Sequence, residues 1–257
     1  MNTPAFPAAF SLRHETALIT GGGTGIGLAI ATAMHAAGAR VVLVGRRESE
    51  LAAAAQAIGA GASFRVHDVT DLDAAPALIA RVTAELGPVT ILVNNAGIHL
   101  KKPAVETTTA EFERVLRTHV LGAHALTAAA APGMIERKSG SILFTASMAS
   151  LFGLPLVIAY TAAKAALAGM VRGYAVEFST HGVRVNAVAP GWIGTEISRQ
   201  ALEGDPKRRD RILARTPMGR LGVPADIGWA AVYLASPAAR FVTGVTLPVD
   251  GGVSIGF

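Results

Sequence analysis

The chain has 257 residues, 51% of them hydrophobic, and a formal net charge of +5; it has room for one large α/β domain or two small ones and apolar content ample for a core. Cysteine is absent, which excludes a disulfide framework and a thiolate metal site and fits a reducing, cytoplasmic setting. No apolar run is long enough to span a bilayer, the start shows no basic-then-apolar signal, and no recognition motif accompanies the positive charge, so neither membrane nor nucleic acid is an expected partner.

In chain order, β-rich runs predict strands at Ala17–Thr20, Arg40–Gly45, Ser63–His67, Ile91–Asn94, Ser141–Phe144, Arg184–Val188 and Thr246–Val249. Helical patterns lie between them at Ile26–Ala37, Glu48–Ile58, Ala74–Glu85, Ala110–Glu136, Val157–Ser179 and Pro224–Leu234. Continuous apolar strands separated by helices imply a parallel sheet covered on both faces. No linker, repeat or low-complexity tract interrupts the alternation. The expected fold class is therefore α/β, a single doubly wound Rossmann-type domain over 1–257 with a seven-stranded parallel sheet. The polar stretch Ser198–Arg220 is the exception, and 192–220 is expected to form a lid over the strand ends. Its basic cluster, Lys207, Arg208, Arg209, Arg211 and Arg215, reads as a solvated helix face or as an attractor of an anionic ligand.

The run Thr20-Gly21-Gly22-Gly23-Thr24-Gly25-Ile26-Gly27 follows the first strand and opens the first helix. Glycines there let the backbone turn sharply and approach a pyrophosphate, which the helix N-terminus then stabilises. Gly21, Gly23, Thr24, Gly25, Ile26 and Gly27 are accordingly candidate cofactor contacts. The second strand ends Val44-Gly45-Arg46-Arg47, without the acidic residue that usually meets a free ribose 2′-hydroxyl. Arg46 and Arg47 suit a 2′-phosphate, which favours NADP(H) with NAD(H) possible; the other reading is surface charge at a helix start. Asp68 and Val69, after the third strand, are placed to meet an adenine amino group, although a helix cap is also open for Asp68.

Tyr160 and Lys164 stand four apart in a predicted helix, so their side chains share one face. A phenol titrates near ~10 in water, and a neighbouring ammonium favours its ionised form. The pair reads as a tuned acid/base for proton transfer at an oxygen.

These motifs occur in one order with Asn94-Asn95-Ala96-Gly97, Ser147 and Pro190-Gly191-Trp192-Ile193-Gly194-Thr195. From about Leu12 to Gly252 the chain resembles the short-chain dehydrogenase/reductase family in its small single-domain form. The resemblance implies an NAD(P)-dependent oxidoreductase that interconverts a secondary alcohol and a ketone. It makes Tyr160 the proton donor/acceptor, Lys164 the group that lowers its pKa and holds the nicotinamide ribose, and Ser147 a hydrogen-bond partner of the substrate carbonyl. Asn94, Ala96 and Gly97 would line the cofactor, beside Pro190 and Gly191, with Ile193 and Thr195 on the nicotinamide amide. Taken singly, Ser147 also reads as a strand-end cap and Asn94-Asn95 as a turn.

One position departs from the family pattern. Where an Asn is usual, in the long helix after the fourth strand, the chain has Thr118-His119-Val120-Leu121-Gly122. In the family this position kinks the helix and helps hold a relay water, so the resemblance leaves three readings: the relay survives through the main-chain carbonyl, the His119 imidazole joins the relay through Lys164, or His119 is a packed side chain without a catalytic part. The substrate pocket is expected from Ser147–Val157, His99–Lys102 and Trp192–Arg215, with His99, Ser147, Met148, Phe152 and Trp192 as its candidate contacts and Leu154, Lys101 and Lys102 nearby. That mixture suits a sugar acid or polyol, as in gluconate 5-dehydrogenase-like members. A 3-oxoacyl carrier-protein reductase is the alternative, and a nucleotide-binding regulator without catalysis is the alternative from another class. The family habit implies a homotetramer, with the apolar tail Val253 to Phe257 at an interface.

Overall fold

The computed structural model describes residues 7–195, 204 and 206–256. Seven strands, β1 Thr16–Thr20, β2 Arg40–Gly45, β3 Ala62–Val66, β4 Ile91–Asn94, β5 Gly140–Thr145, β6 Val183–Pro190 and β7 Thr246–Val249, form one parallel sheet in the order β3-β2-β1-β4-β5-β6-β7. The expected fold class is therefore the observed one. After β3 the chain crosses β1 and continues on its other side, with Ile19 of β1 paired to Val93 of β4. A crevice opens beyond the strand ends at such a reversal, and ligands bind there.

The helices are α1 Gly25–Ala36, α2 Glu48–Ile58, α3 Ala75–Leu86, α4 Thr109–Leu116, α5 Gly122–Glu136, α6 Ile158–Phe178, α7 Pro206–Ala214 and α8 Pro224–Ala235. Side chains alternate along each strand, so the sheet feeds two cores. Leu18, Val42, Val44, Leu92 and Phe144 pack with Leu78 of α3, Leu126 of α5 and Val171 of α6. Ile19, Val41, Leu43 and Val93 pack with Ile30 of α1, Leu51 of α2 and Ile227 of α8. Each such buried side chain contributes about 1.5–3 kcal/mol of transfer free energy. Gly228 lets α8 close on α1, since a Cβ there would lie 2.7 Å from the Ala29 carbonyl oxygen. No helix among the described residues is long and apolar enough to cross a membrane.

Two elements differ from expectation. The helix predicted over Ala110–Glu136 is split into α4 and α5 by a π turn, Arg117–Leu121, where the Gly122 N–H bonds the Arg117 carbonyl. Just after the break the chain packs closely on a distant segment: a Cβ on Gly122 would lie 2.6 Å from the Val69 carbonyl oxygen. The Thr108 hydroxyl and the Glu111 carboxylate cap the start of α4 reciprocally. The expected lid contains a helix, α7, in its second half. Its residues 196–203 and 205, like Phe257 of the tail, lie outside the described residues.

Candidate active site

β1 ends at Thr20, and the chain turns into α1 through two left-handed glycines, Gly21 at φ +64° and Gly25 at φ +56°. A Cβ on Gly27 would sit 2.1 Å from the Gly21 carbonyl oxygen, so the turn closes only around a bare α-carbon. Thr24, the residue ahead of α1, makes no side-chain cap. The first amide groups of the helix are thus left to a ligand at the positive end of its dipole. A cleft of about 620 Å³ opens over this turn. Of the expected cofactor contacts, Gly21, Gly23, Thr24, Gly25, Ile26, Gly27, Arg46, Arg47, Asp68, Val69, Ala96, Gly97 and Thr195 line it. Lined by the glycines of the turn and by Arg46 and Arg47, it fits a dinucleotide.

At the basic end Arg46 is 3.7 Å from Asp68, both well exposed, and Arg47 pairs with Glu50 at 2.6 Å. Asp68 also accepts from the Thr70 amide and hydroxyl at 2.9 Å each, so it does close a turn. On the opposite wall Thr20 is a hub. Its buried hydroxyl accepts from the amides of Asn95 and Ala96, both at 2.9 Å. The Asn95 amide group donates back to the Thr20 carbonyl at 2.9 Å, which ties the end of β4 to the glycine turn.

Some expected contacts are outside the cleft lining, Tyr160 and Lys164 among them. Asn94 is buried and donates to the Thr127 hydroxyl at 3.0 Å, facing the core between β4 and α5. Pro190 closes β6, Gly191 packs against Asp250, and Ile193 is buried where it bridges to Gly222; only Thr195 of that run reaches the cleft lining. Asn95, Ile98 and Thr118 line the cleft without having been expected there. The Asn doublet was the signal for Asn95; strand parity decides which of the two faces the core.

The catalytic candidates come from β5 and α6. Ser147 follows β5 and accepts from the Ala149 amide at 3.1 Å, so it caps a short 3-10 turn, Met148–Ser150. Tyr160 and Lys164 lie one turn apart on α6, with the ammonium nitrogen 5.4 Å from the centre of the phenol ring. Lys164 is buried and donates to the Thr145 carbonyl at 2.5 Å, while the Ser150 hydroxyl donates to the Lys164 carbonyl at 2.8 Å. Burial pulls the lysine down to about 7. Burial raises the Tyr160 phenol above its ordinary value, against an opposing pull from the Ser147 hydroxyl. The expected lowering of the phenol by Lys164 is thus not what the site shows: desolvation wins and the ammonium is turned to Thr145. A phenol held protonated is set to donate to an oxygen, and the Ser147 hydroxyl faces the same point.

Around this group stand the mouth residues. His99 is exposed with its ring 5.0 Å from that of Tyr160, and His119 meets Tyr160 from another side at 5.6 Å and 88°. The Lys102 amide donates to the Leu156 carbonyl at 2.7 Å and joins the two mouth loops, with Leu156 held at φ +67°. Lys102 does not offer its ammonium to the pocket, because Glu111 holds it at 3.1 Å. Met148 is buried, whereas Phe152 and Trp192 are half-buried. The Arg215 guanidinium, just beyond α7, lies 4.9 Å from the centre of the Phe152 ring.

A reversal crevice floored by glycine, with the candidate set Ser147, Tyr160 and Lys164 grouped beyond the His119 wall, defines a dinucleotide-dependent oxidoreductase working between alcohol and ketone. The family model described as Enoyl-(Acyl carrier protein) reductase matches residues 21–254. The chain belongs to the short-chain dehydrogenase/reductase family. It is 41% identical over 253 residues to a galactitol 2-dehydrogenase (L-tagatose-forming) of Cereibacter sphaeroides, covering 97% of this chain and 99% of that one. To the gluconate 5-dehydrogenase of Gluconobacter oxydans it is 38% identical over 252 residues, covering 97% and 98%. The crystal structure of a gluconate 5-dehydrogenase from Burkholderia cenocepacia, in complex with NADP and tartrate, superposes with a TM-score of 0.93 at 35% identity, covering 97% and 99%.

Proposed function

We propose that this chain is an NADP(H)-preferring dehydrogenase/reductase for a small hydroxylated acid or polyol, with a sugar acid as the best substrate. The grouping of Ser147, Tyr160 and Lys164 beside the cleft carries the reaction class. Tyr160 gives its proton to the carbonyl oxygen in reduction and takes it back in oxidation, while Ser147 donates a hydrogen bond to the same oxygen. Lys164 receives and returns the proton behind Tyr160 and holds the nicotinamide ribose; its lowered value, about 7, suits proton exchange near neutrality. The bound nicotinamide supplies or takes the hydride at the carbonyl carbon. Arg46 and Arg47, at the cleft edge, support NADP over NAD.

Arg215 supports an anionic substrate. Its cation lies over the ring of Phe152, an expected pocket contact in the loop that follows Ser147. The named activities of the galactitol and gluconate relatives point the same way, and so does tartrate, a hydroxylated dicarboxylate, in the Burkholderia structure. The protein is taken to work in the cytoplasm as a homotetramer, whose contacts would cover exposed apolar side chains of the helices, among them Leu121, Ile158 and Val176, with Ile255 of the tail.

The test is a substrate panel of sugar acids, polyols and 3-oxoacyl thioesters with both cofactors, on wild type and Arg215→Met. Sugar acids should lead, and Arg215→Met should lower their kcat/KM about tenfold to a hundredfold, the worth of a charge-assisted contact, while polyols change by less than about threefold. A lead for thioesters would favour the carrier-protein reductase, and turnover of nothing in the panel would favour the regulator.

A further inference from the structure

His119 is 3% exposed and lies in the π turn between α4 and α5. Its Nε2 is 3.0 Å from the Ile98 amide nitrogen and 2.8 Å from the Ile98 carbonyl oxygen. Either neutral tautomer therefore makes one hydrogen bond to this loop: Nε2 accepts from the amide, or Nε2–H donates to the carbonyl. The residue before Ile98 is Gly97, where a Cβ would lie 2.2 Å from His119 Cε1. The ring thus fills the space that any side chain at 97 would need. On its other side it stands perpendicular to Tyr160. Gly97 and Ile98 line the cofactor cleft, so one imidazole touches both the cleft wall and the candidate proton donor.

We propose that His119 is a positioning residue: it clamps the Gly97–Ile98 main chain to the ring of Tyr160, and it does not pass a proton during turnover.

The geometry separates this from a relay. A relaying imidazole takes a proton on one nitrogen and releases it from the other. Among the described residues the hydrogen bonds of the His119 ring go to Ile98 alone, and neither a main-chain amide nor a carbonyl carries a proton onward near neutrality. Nδ1 is buried without a hydrogen-bond partner among the described residues. The ionisable groups facing the ring are Lys164 and Tyr160 on α6 and His99 on the preceding loop. Burial first, then Lys164, with His99 adding and the Ile98 bond opposing, holds the imidazole at about 3. It is therefore neutral wherever the lysine and the phenol exchange protons.

The test compares wild type with His119→Ala, His119→Phe and His119→Asn, reading kcat and its pH profile together with the Kd for NADPH by fluorescence. His119→Ala and His119→Phe should each lose about tenfold or more in kcat, with the inflections of the profile unmoved within about half a pH unit. His119→Asn, whose amide offers both a donor and an acceptor to Ile98, should recover most of the loss and bind NADPH within about threefold of wild type. A shifted inflection in His119→Ala or His119→Phe would overturn the proposal, as would a fully active His119→Phe or a His119→Asn no better than alanine. Should the alanine and phenylalanine variants fail to fold, nitrogen-15 NMR of the wild-type imidazole decides: it should stay neutral from about pH 8 down to about pH 5, and a midpoint between about 6 and 7 would refute it.

Discussion

The glycine cradle and the candidate catalytic mouth address the same problem, holding a ligand in place, with different materials. The cradle is main chain: Gly21, Gly25 and Gly27 shape it by their backbone angles and by the side chains they lack, within one short run. The mouth is side chain: His99, His119, Ser147, Tyr160 and Arg215 come from distant parts of the sequence and meet only once the sheet is formed. The cradle is fixed by sterics, so a single methyl group disrupts it. The mouth is fixed by contacts and desolvation, so its properties move by degrees and with pH.

That contrast can be broken at several points. The largest effect is expected from Lys164→Met. The folded-state value of the lysine, about 7, lies below its ordinary 10.5, so between those values the unfolded chain binds more protons than the folded one. Stability therefore rises with pH across that window and is lower by a few kcal/mol at its acid end. In urea unfolding, Lys164→Met should remove that slope and stabilise the protein near neutrality while abolishing turnover; an unchanged slope would mean that the ammonium is not desolvated. Next comes Gly27→Ala. Its Cβ would lie 2.1 Å from the Gly21 carbonyl oxygen, so the Kd for NADPH should rise at least about a hundredfold, by titration calorimetry. Normal binding would show that the turn tolerates rearrangement. The smallest change is expected at the exposed edge: Arg46→Ser should reduce the NADPH over NADH preference in kcat/KM by about tenfold, within the range for one charge-assisted hydrogen bond. A wild-type preference for NADH would remove the basis for that role.

The same contrast explains what the sequence made legible. Most strands were readable because they are short apolar runs between breakers, with β3 and its Ser63 and Arg65 the exception, and the cradle because its requirement is written as spacing. Ser147, Tyr160 and Lys164 were readable as a set, but the direction of the phenol's shift was not: it depends on how deeply α6 is buried against β5 and on Lys164 turning to Thr145. The family pattern puts a kink at His119, but the π form of the break was not legible in a helical pattern that runs on to Gly122, a residue packed closely against Val69 far away in sequence. Lys102 looked like a pocket cation until Glu111, part of a helix cap, was seen to hold it. Of the doublet, the family pattern named Asn94 as the cofactor contact, and the fold turns its side chain to the core and leaves that of Asn95 at the glycine turn.

The most direct test of the central claim, that Tyr160 is the proton donor of a reaction run in this cleft, is Tyr160→Phe. Removing one hydroxyl should lower kcat by about a thousandfold, within the range for a positioned acid/base, while the Kd for NADPH stays within about threefold of wild type. Turnover at the wild-type rate in that variant would contradict the claim.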